Sequence, residues 1–202
     1  MAWLRFTGQS VALAAVLLLA LSGLAFAQLG DALMFPKTLV DRAIEARSMA
    51  DIAKDNEIVL KVNRAMAAQG TIKASTRIYE QRLLITGLFD DKATYDKFET
   101  AVRAIADVKT LYWHVIYMPK EEQERRKLLD WSDVLLLETK AEARLIGTLG
   151  VADVNFRIAA DAFGTLYLLG RGRSNEELFR ARAKARDGDK IKKLVDYTVL
   201  RP

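Results

Sequence analysis

Two stretches of the chain carry the same hydrophobic signature, and the other elements fall into place around them. Arg82-Leu83-Leu84-Ile85-Thr86-Gly87 is a short apolar run ending in glycine, followed by the polar turn Phe89-Asp90-Asp91-Lys92 and a helical pattern. Thr165-Leu166-Tyr167-Leu168-Leu169-Gly170 repeats it, followed by Arg171-Gly172-Arg173-Ser174 and a second helical pattern. Each copy is preceded by a shorter strand-like segment and, before that, an amphipathic helix. Recurrence at this spacing predicts two copies of one small unit.

In the first copy, Ile58, Val62, Ala65 and Met66 fall on one helical face. Asp55 or Asn56 is a candidate cap for that helix, and Gly70 closes it. Thr76, Ile78 and Glu80 alternate weakly with Arg77, Tyr79 and Gln81, which reads as an exposed strand. Glu80-Gln81-Arg82 is then a polar turn, and Leu83–Thr86 the returning strand. A helix starting at Asp90 or Asp91 carries the core stripe Tyr95, Phe98, Val102 and Ile105, and residues 108–117 close the unit as a β-branched and aromatic strand. The first two strands suit an antiparallel hairpin, while the last two are joined by a helix and so run parallel.

The second copy repeats this order. Ser132 is the candidate cap of a helix through residues 134–146, which Gly147 or Gly150 ends. Val154, Phe156 and Ile158 alternate with Asn155 and Arg157 as a strand, and Asp161-Ala162-Phe163-Gly164 makes the turn. Ser174 caps the next helix, with Glu176 and Glu177 favourable to its dipole, and residues 191–200 close the unit. The predicted class is α+β: two tandem αββαβ modules, each a small three-stranded mixed sheet with two helices on one face. The first module spans 55–118, a charged connector 119–130, and the second module 131–202.

The N-terminus follows a different pattern. Val11–Leu21 is an unbroken apolar run, and Ala25-Phe26-Ala27 supplies the small residues of an A-x-A site. The run is short for a membrane span of roughly 20 residues. It reads as a secretory signal peptide over 1–27, cleaved between Ala27 and Gln28. Gln28 stands where a lipoprotein needs cysteine, so the expectation is an exported, periplasmic protein that is not lipidated. Residues 28–54 form a lead-in, a short helix or an extended arm.

Composition narrows the function. Cysteine is absent, which removes disulfides, thiol nucleophiles and thiolate metal sites. The formal charge of +5 is spread among many acids. It permits weak attraction to anionic surfaces without indicating nucleic acid.

The opening helix Asp55–Asn63, the glycine-ended strands Leu83–Gly87 and Leu166–Gly170, and Ile105-Ala106-Asp107-Val108 at the entry to a closing strand resemble the BON family. That family comprises small domains of bacterial periplasmic and outer-membrane proteins related to osmotically induced protein Y. Asp107 stands where the family usually has glycine, and Lys190-Ile191 departs further. The resemblance covers residues 46–202. It implies phospholipid-surface binding and upkeep of the cell envelope, not catalysis.

The residues themselves offer little chemistry. His114, the sole histidine, has no cysteine or second histidine to form a dyad or metal site and reads as a packing residue on a sheet face. Asp90-Asp91 suits a helix cap, and Asp187-Gly188-Asp189 lacks the spacing of a calcium loop. Gly170-Arg171-Gly172-Arg173 reads as a turn. No cofactor, metal or catalytic residue is expected.

One helix carries more apolar surface than a core needs. At about 100° per residue, Val134, Leu137, Ala141 and Leu145 form the core stripe. Leu136 then points nearly opposite, with Trp131 and Leu135 toward its flank and Lys140 and Arg144 on the same helix. Trp131, Leu135, Leu136, Lys140 and Arg144 are therefore the expected contact with an anionic phospholipid membrane, peripheral and reversible. The competing reading makes the same surface a docking site for an envelope protein, or buries Leu135 and Leu136 against the first module.

Overall fold

The computed structural model describes residues 45–70 and 73–201. The expected signal peptide, its cleavage site at Ala27 and Gln28, and the lead-in up to residue 44 lie outside the described residues. The first module runs α1 (Met49–Ala68), β1 (Ala74–Tyr79), β2 (Arg82–Phe89), α2 (Lys92–Arg103) and β3 (Thr110–Tyr117). A short helix, α3 (Lys120–Arg125), forms the connector. The second module runs α4 (Trp131–Ile146), a 3-10 turn at Asp153–Asn155, β4 (Phe156–Ala160), β5 (Thr165–Gly172), α5 (Asn175–Arg186) and β6 (Lys193–Leu200). The class is α+β, with two mixed sheets ordered β1-β2-β3 and β4-β5-β6. In each, the first pair is antiparallel and the second parallel. Among the described residues, no helix is long and apolar enough to cross a membrane.

The central strands β2 and β5 are buried on both faces, as their continuous apolar runs require. Leu83 and Ile85 face α1 and α2, where they meet Ile58, Val62, Phe98 and Val102. Leu166 and Leu168 face α4 and α5, against Val134, Leu137, Ala141 and Leu178. The alternate residues of both sheets meet in a third core: Tyr79, Leu84, Ala159, Tyr167 and Leu169, with Tyr112, Val195 and Tyr197 at its margin. The sheets thus pack against each other and the helices cover the outside. A module of about sixty residues is near the lower limit for an independent core, and this shared seam supplies the missing burial.

The seam explains why β1 looks weak in sequence. Expected to be exposed, it is instead buried at both ends: Ile78 turns to the helices and Tyr79 to the other sheet. Arg77, in its middle, reaches across the seam. Its Nε donates to the Ile158 carbonyl at 2.6 Å and its Nη2 to Glu138 at 3.0 Å. Glu138 in turn accepts from the Ala160 N–H at 2.8 Å. These two side chains occupy backbone groups on the outer side of β4 that would otherwise invite another strand.

Two expected helix starts are corrected. α1 begins at Met49, six residues before Asp55, and its cap is Ser48, whose hydroxyl accepts from the Asp51 N–H. The expected boundary at residue 55 therefore falls inside a helix. Asp55 is buried and caps the β1–β2 hairpin instead: it accepts from the Glu80 and Gln81 N–H groups at 2.9 and 2.7 Å. The cap of α4 is Asp130, not Ser132, and its side chain makes no capping bond. Asp91 and Ser174 cap α2 and α5 as expected, accepting from Thr94 and Glu177 N–H.

His114 lies at the seam. Its ring sits 4.3 Å from that of Tyr167, and Nε2 is 2.8 Å from the Tyr197 hydroxyl. Burial holds its pKa below the ordinary histidine value, Asp161 opposing and Lys193 reinforcing the shift. The fold therefore favours the neutral ring. As pH falls through about 6.5, the unfolded chain takes up a proton before the folded one, so stability falls. The urea midpoint is expected to drop between pH 7.5 and pH 5.5, and to drop less in His114→Gln. With one histidine in the sequence, an equal drop in both proteins would remove His114 from the account.

Candidate functional site

α4 forms because Trp131–Ile146 places apolar residues at helical spacing after an acidic cap. Val134, Leu137, Ala141 and Leu145 are buried against the second sheet, as the stripe predicts. Glu138 is also buried, paired with Arg77 of the first module. At 100° per residue the opposite face carries Leu135, Leu136, Thr139, Ala143 and Ile146. Leu135 is 42% exposed, Leu136 47% and Ile146 50%. Just past the helix, Leu149 is 94% exposed. The result is an apolar ridge about four turns long, bordered by Glu142 on the first module's side and by exposed Lys140 on the other.

The five residues chosen from sequence divide. Leu135 and Leu136 stand on the ridge and do not fill the seam between modules. Lys140 is exposed beside them. Trp131 is half-buried against the second core, where it lines a small cavity with Lys73, Leu88 and Asp130. Arg144 is committed elsewhere: it donates to the carbonyls of Lys184 at 3.1 Å and Ala185 at 3.4 Å, at the C-terminal end of α5. That places a cation where the helix dipole favours one, and it takes Arg144 away from the ridge.

Ile146 and Leu149 belong to the surface although sequence reasoning passed over them. At 100° per residue Ile146 falls within about 20° of Leu135, so the spacing that put Leu135 outside the core stripe also held the signal for Ile146. Leu149 sits in Gly147-Thr148-Leu149-Gly150, a segment noticed only as a helix end. The two modules differ sharply here. Among the described residues of the first module's helices only Met49 and Leu60 are large, apolar and exposed, whereas the second has Leu135, Leu136, Ile146, Leu149 and Phe179 on or beside its helices.

Among the described residues, no cluster of three or more His, Asp or Glu side chains is placed to hold a metal ion. The buried phenols serve packing. Tyr79 donates to Asn155 Oδ1 at 3.0 Å and is pushed up to about 12 by burial. Tyr167 donates to Asp161 at 2.8 Å and is raised mainly by burial.

No family model matches the chain, and no curated protein matches it. Among solved structures it is similar to CdsD, a structural protein of the type III secretion system of Chlamydia trachomatis. The identity is 12%, covering 72% of this chain and 93% of that one, with a TM-score of 0.30. A structure of the CdsD C-terminal domain matches at 15% identity, over 72% of this chain and 98% of that one, with a TM-score of 0.26.

Proposed function

We propose that this is a non-enzymatic, two-module protein of the bacterial periplasm that attaches reversibly to anionic phospholipid surfaces and supports the integrity of the cell envelope under stress. The observation that carries this reading is the ridge on α4: Leu135, Leu136, Ile146 and Leu149 stand in solvent although the core beneath them is filled. The resemblance to BON domains noted in the sequence points the same way. Full burial of one leucine-sized side chain contributes about 2 kcal/mol. Several such chains entering the headgroup boundary, with Lys140 beside the phosphates, give a contact that forms and releases.

The test is flotation of residues 28–202 with liposomes. Flotation is expected with phosphatidylglycerol-containing vesicles at low salt, and to be reduced by salt and on purely zwitterionic vesicles. Leu136→Asp places a charge at an exposed position, so it should lower the bound fraction at least about fivefold while leaving the unfolding free energy from urea titration within about 0.5 kcal/mol of wild type. Flotation of the variant equal to wild type would move the contact off α4. Failure to float under any condition would sink the lipid reading, leaving the ridge as a docking surface for an envelope protein, to be pursued by crosslinking.

A further inference from the structure

α5 has a face that the lipid reading does not use. Leu178, Ala181 and Ala185 turn into the second core, while Phe179 stands outside it, 72% exposed. Between α5 and β6 runs a groove of about 420 Å³ lined by Phe179, Arg182, Ala183, Arg186, Leu194 and Asp196. Among the described residues β6 is the outer strand of its sheet and pairs with β5 alone. Its other side is a strand edge. At its far end that edge is occupied: Asp196 accepts from the Thr198 N–H at 2.9 Å, and Arg182 holds the Asp196 carboxylate at 2.6 Å. Toward Lys193 the edge runs along the groove.

Charge says what would enter. Residues 171–193 hold nine basic against four acidic residues, a local excess equal to the +5 of the whole chain. Several of these cations are satisfied, Lys184 by Asp187 and Lys190 by Asp133. Arg186, Lys192 and Lys193 are exposed and stand in no ion pair among the described residues. An apolar floor, an aromatic wall, a strand edge and the unneutralised Arg186 in the lining, with Lys192 and Lys193 at the start of the strand, are the parts of a peptide groove, in which backbone bonds give affinity and side-chain pockets give selectivity.

We propose that this groove binds an extended acidic segment of a partner protein. The segment pairs along β6 at Lys193–Val195, seats an apolar side chain between Phe179 and Leu194 beside Arg186 on the groove face, and sets its alternate carboxylates on the other face of the strand, that of Lys193. A concave groove beside a strand edge suits such a segment better than a bilayer, which is met by protruding side chains and makes no use of directed backbone bonds.

The probe is a fluorescein-labelled octapeptide alternating glutamate with valine and one phenylalanine, titrated with the full chain and followed by anisotropy. A control peptide carries lysine for glutamate, and a third is N-methylated at alternate amides. Saturable binding is expected for the first peptide only. It should weaken about tenfold or more in R186E/K193E and in Phe179→Ser, and be unchanged in Leu136→Asp, which separates this groove from the α4 ridge. The substituted positions are exposed, and circular dichroism verifies that each variant is folded. Absence of saturable binding, equal binding of the lysine or methylated peptide, or indifference to R186E/K193E overturns the proposal. Loss of liposome flotation in R186E/K193E without peptide binding assigns the face to lipid and overturns it equally.

Discussion

Gly170→Ala is expected to destabilise the protein by about 2–5 kcal/mol, because the new methyl group has nowhere to go. Gly170 lies opposite Phe156 in the β4–β5 ladder. A Cβ there would lie 2.2 Å from the Asn155 carbonyl oxygen and 2.9 Å from the Phe156 Cα, both backbone atoms that no side-chain rotation can move. Its φ of +148° adds strain for any residue bearing a Cβ. Overpacking alone costs roughly 1–3 kcal/mol, and the backbone strain about 1–2 more. For a chain of this length that corresponds to a fall in Tm of roughly 10 °C. Gly87 is its counterpart, opposite Ala74, with the Lys73 carbonyl oxygen 2.7 Å from the added methyl. Gly87 has no positive φ, so Gly87→Ala should cost less, about 1–3 kcal/mol. Gly147→Ala is the control: the nearest atom is 3.7 Å away, and the change should fall within about 0.5 kcal/mol of wild type. Denaturant midpoints of the three variants check the order. A Gly170→Ala protein as stable as Gly147→Ala would mean that β4 shifts freely, against the packing of Ala159 and Phe156 into two different cores.

That glycine pair is also where the sequence was most informative. The apolar runs ending at Gly87 and Gly170 announced the repeat because one steric problem, a close antiparallel partner at the end of a doubly buried strand, recurs in both modules. The stripe Tyr95, Phe98, Val102, Ile105 was legible for a similarly local reason, since one helix face meets one core. Residues whose partners lie far along the chain were not legible. β1 looked exposed because its second face is covered by a sheet about eighty residues away. Arg144 looked free because the carbonyls it caps belong to residues 184 and 185. Trp131 looked like an interfacial anchor because one wall of the cavity it lines, Lys73, Gly87 and Leu88, comes from the first module. At the candidate surface the same division holds. Helical arithmetic placed Leu135 and Leu136 outside the core correctly, but the availability of neighbouring cations depends on tertiary partners that a helical wheel does not contain.

Asp55 is the clearest instance, and its removal should have the second large effect. From sequence it suited a helix cap, since a short carboxylate before an apolar run is the usual signature. In the fold it is 1% exposed in mid-helix and accepts four hydrogen bonds: from Glu80 and Gln81 N–H, from the Gln81 side chain at 2.9 Å, and from Arg47 Nη1 at 2.7 Å. The hairpin it serves needs this help. Glu80 and Gln81 have φ of 53° and 60°, a two-residue turn that normally selects Asn-Gly. Asp55→Ala would strand two turn N–H groups and leave the buried Arg47 guanidinium with Glu45 as its remaining carboxylate partner among the described residues. Breaking a buried charge pair on one side costs about 3–5 kcal/mol, so Asp55→Ala should be among the most damaging single changes in the first module. If the turn's strain is part of that cost, E80N/Q81G should recover part of the loss in the Asp55→Ala background and give no comparable gain in wild type, a coupling read from a double-mutant cycle. An Asp55→Ala protein destabilised by less than about 1 kcal/mol, or an equal effect of E80N/Q81G in both backgrounds, would show that the turn holds its shape without the carboxylate.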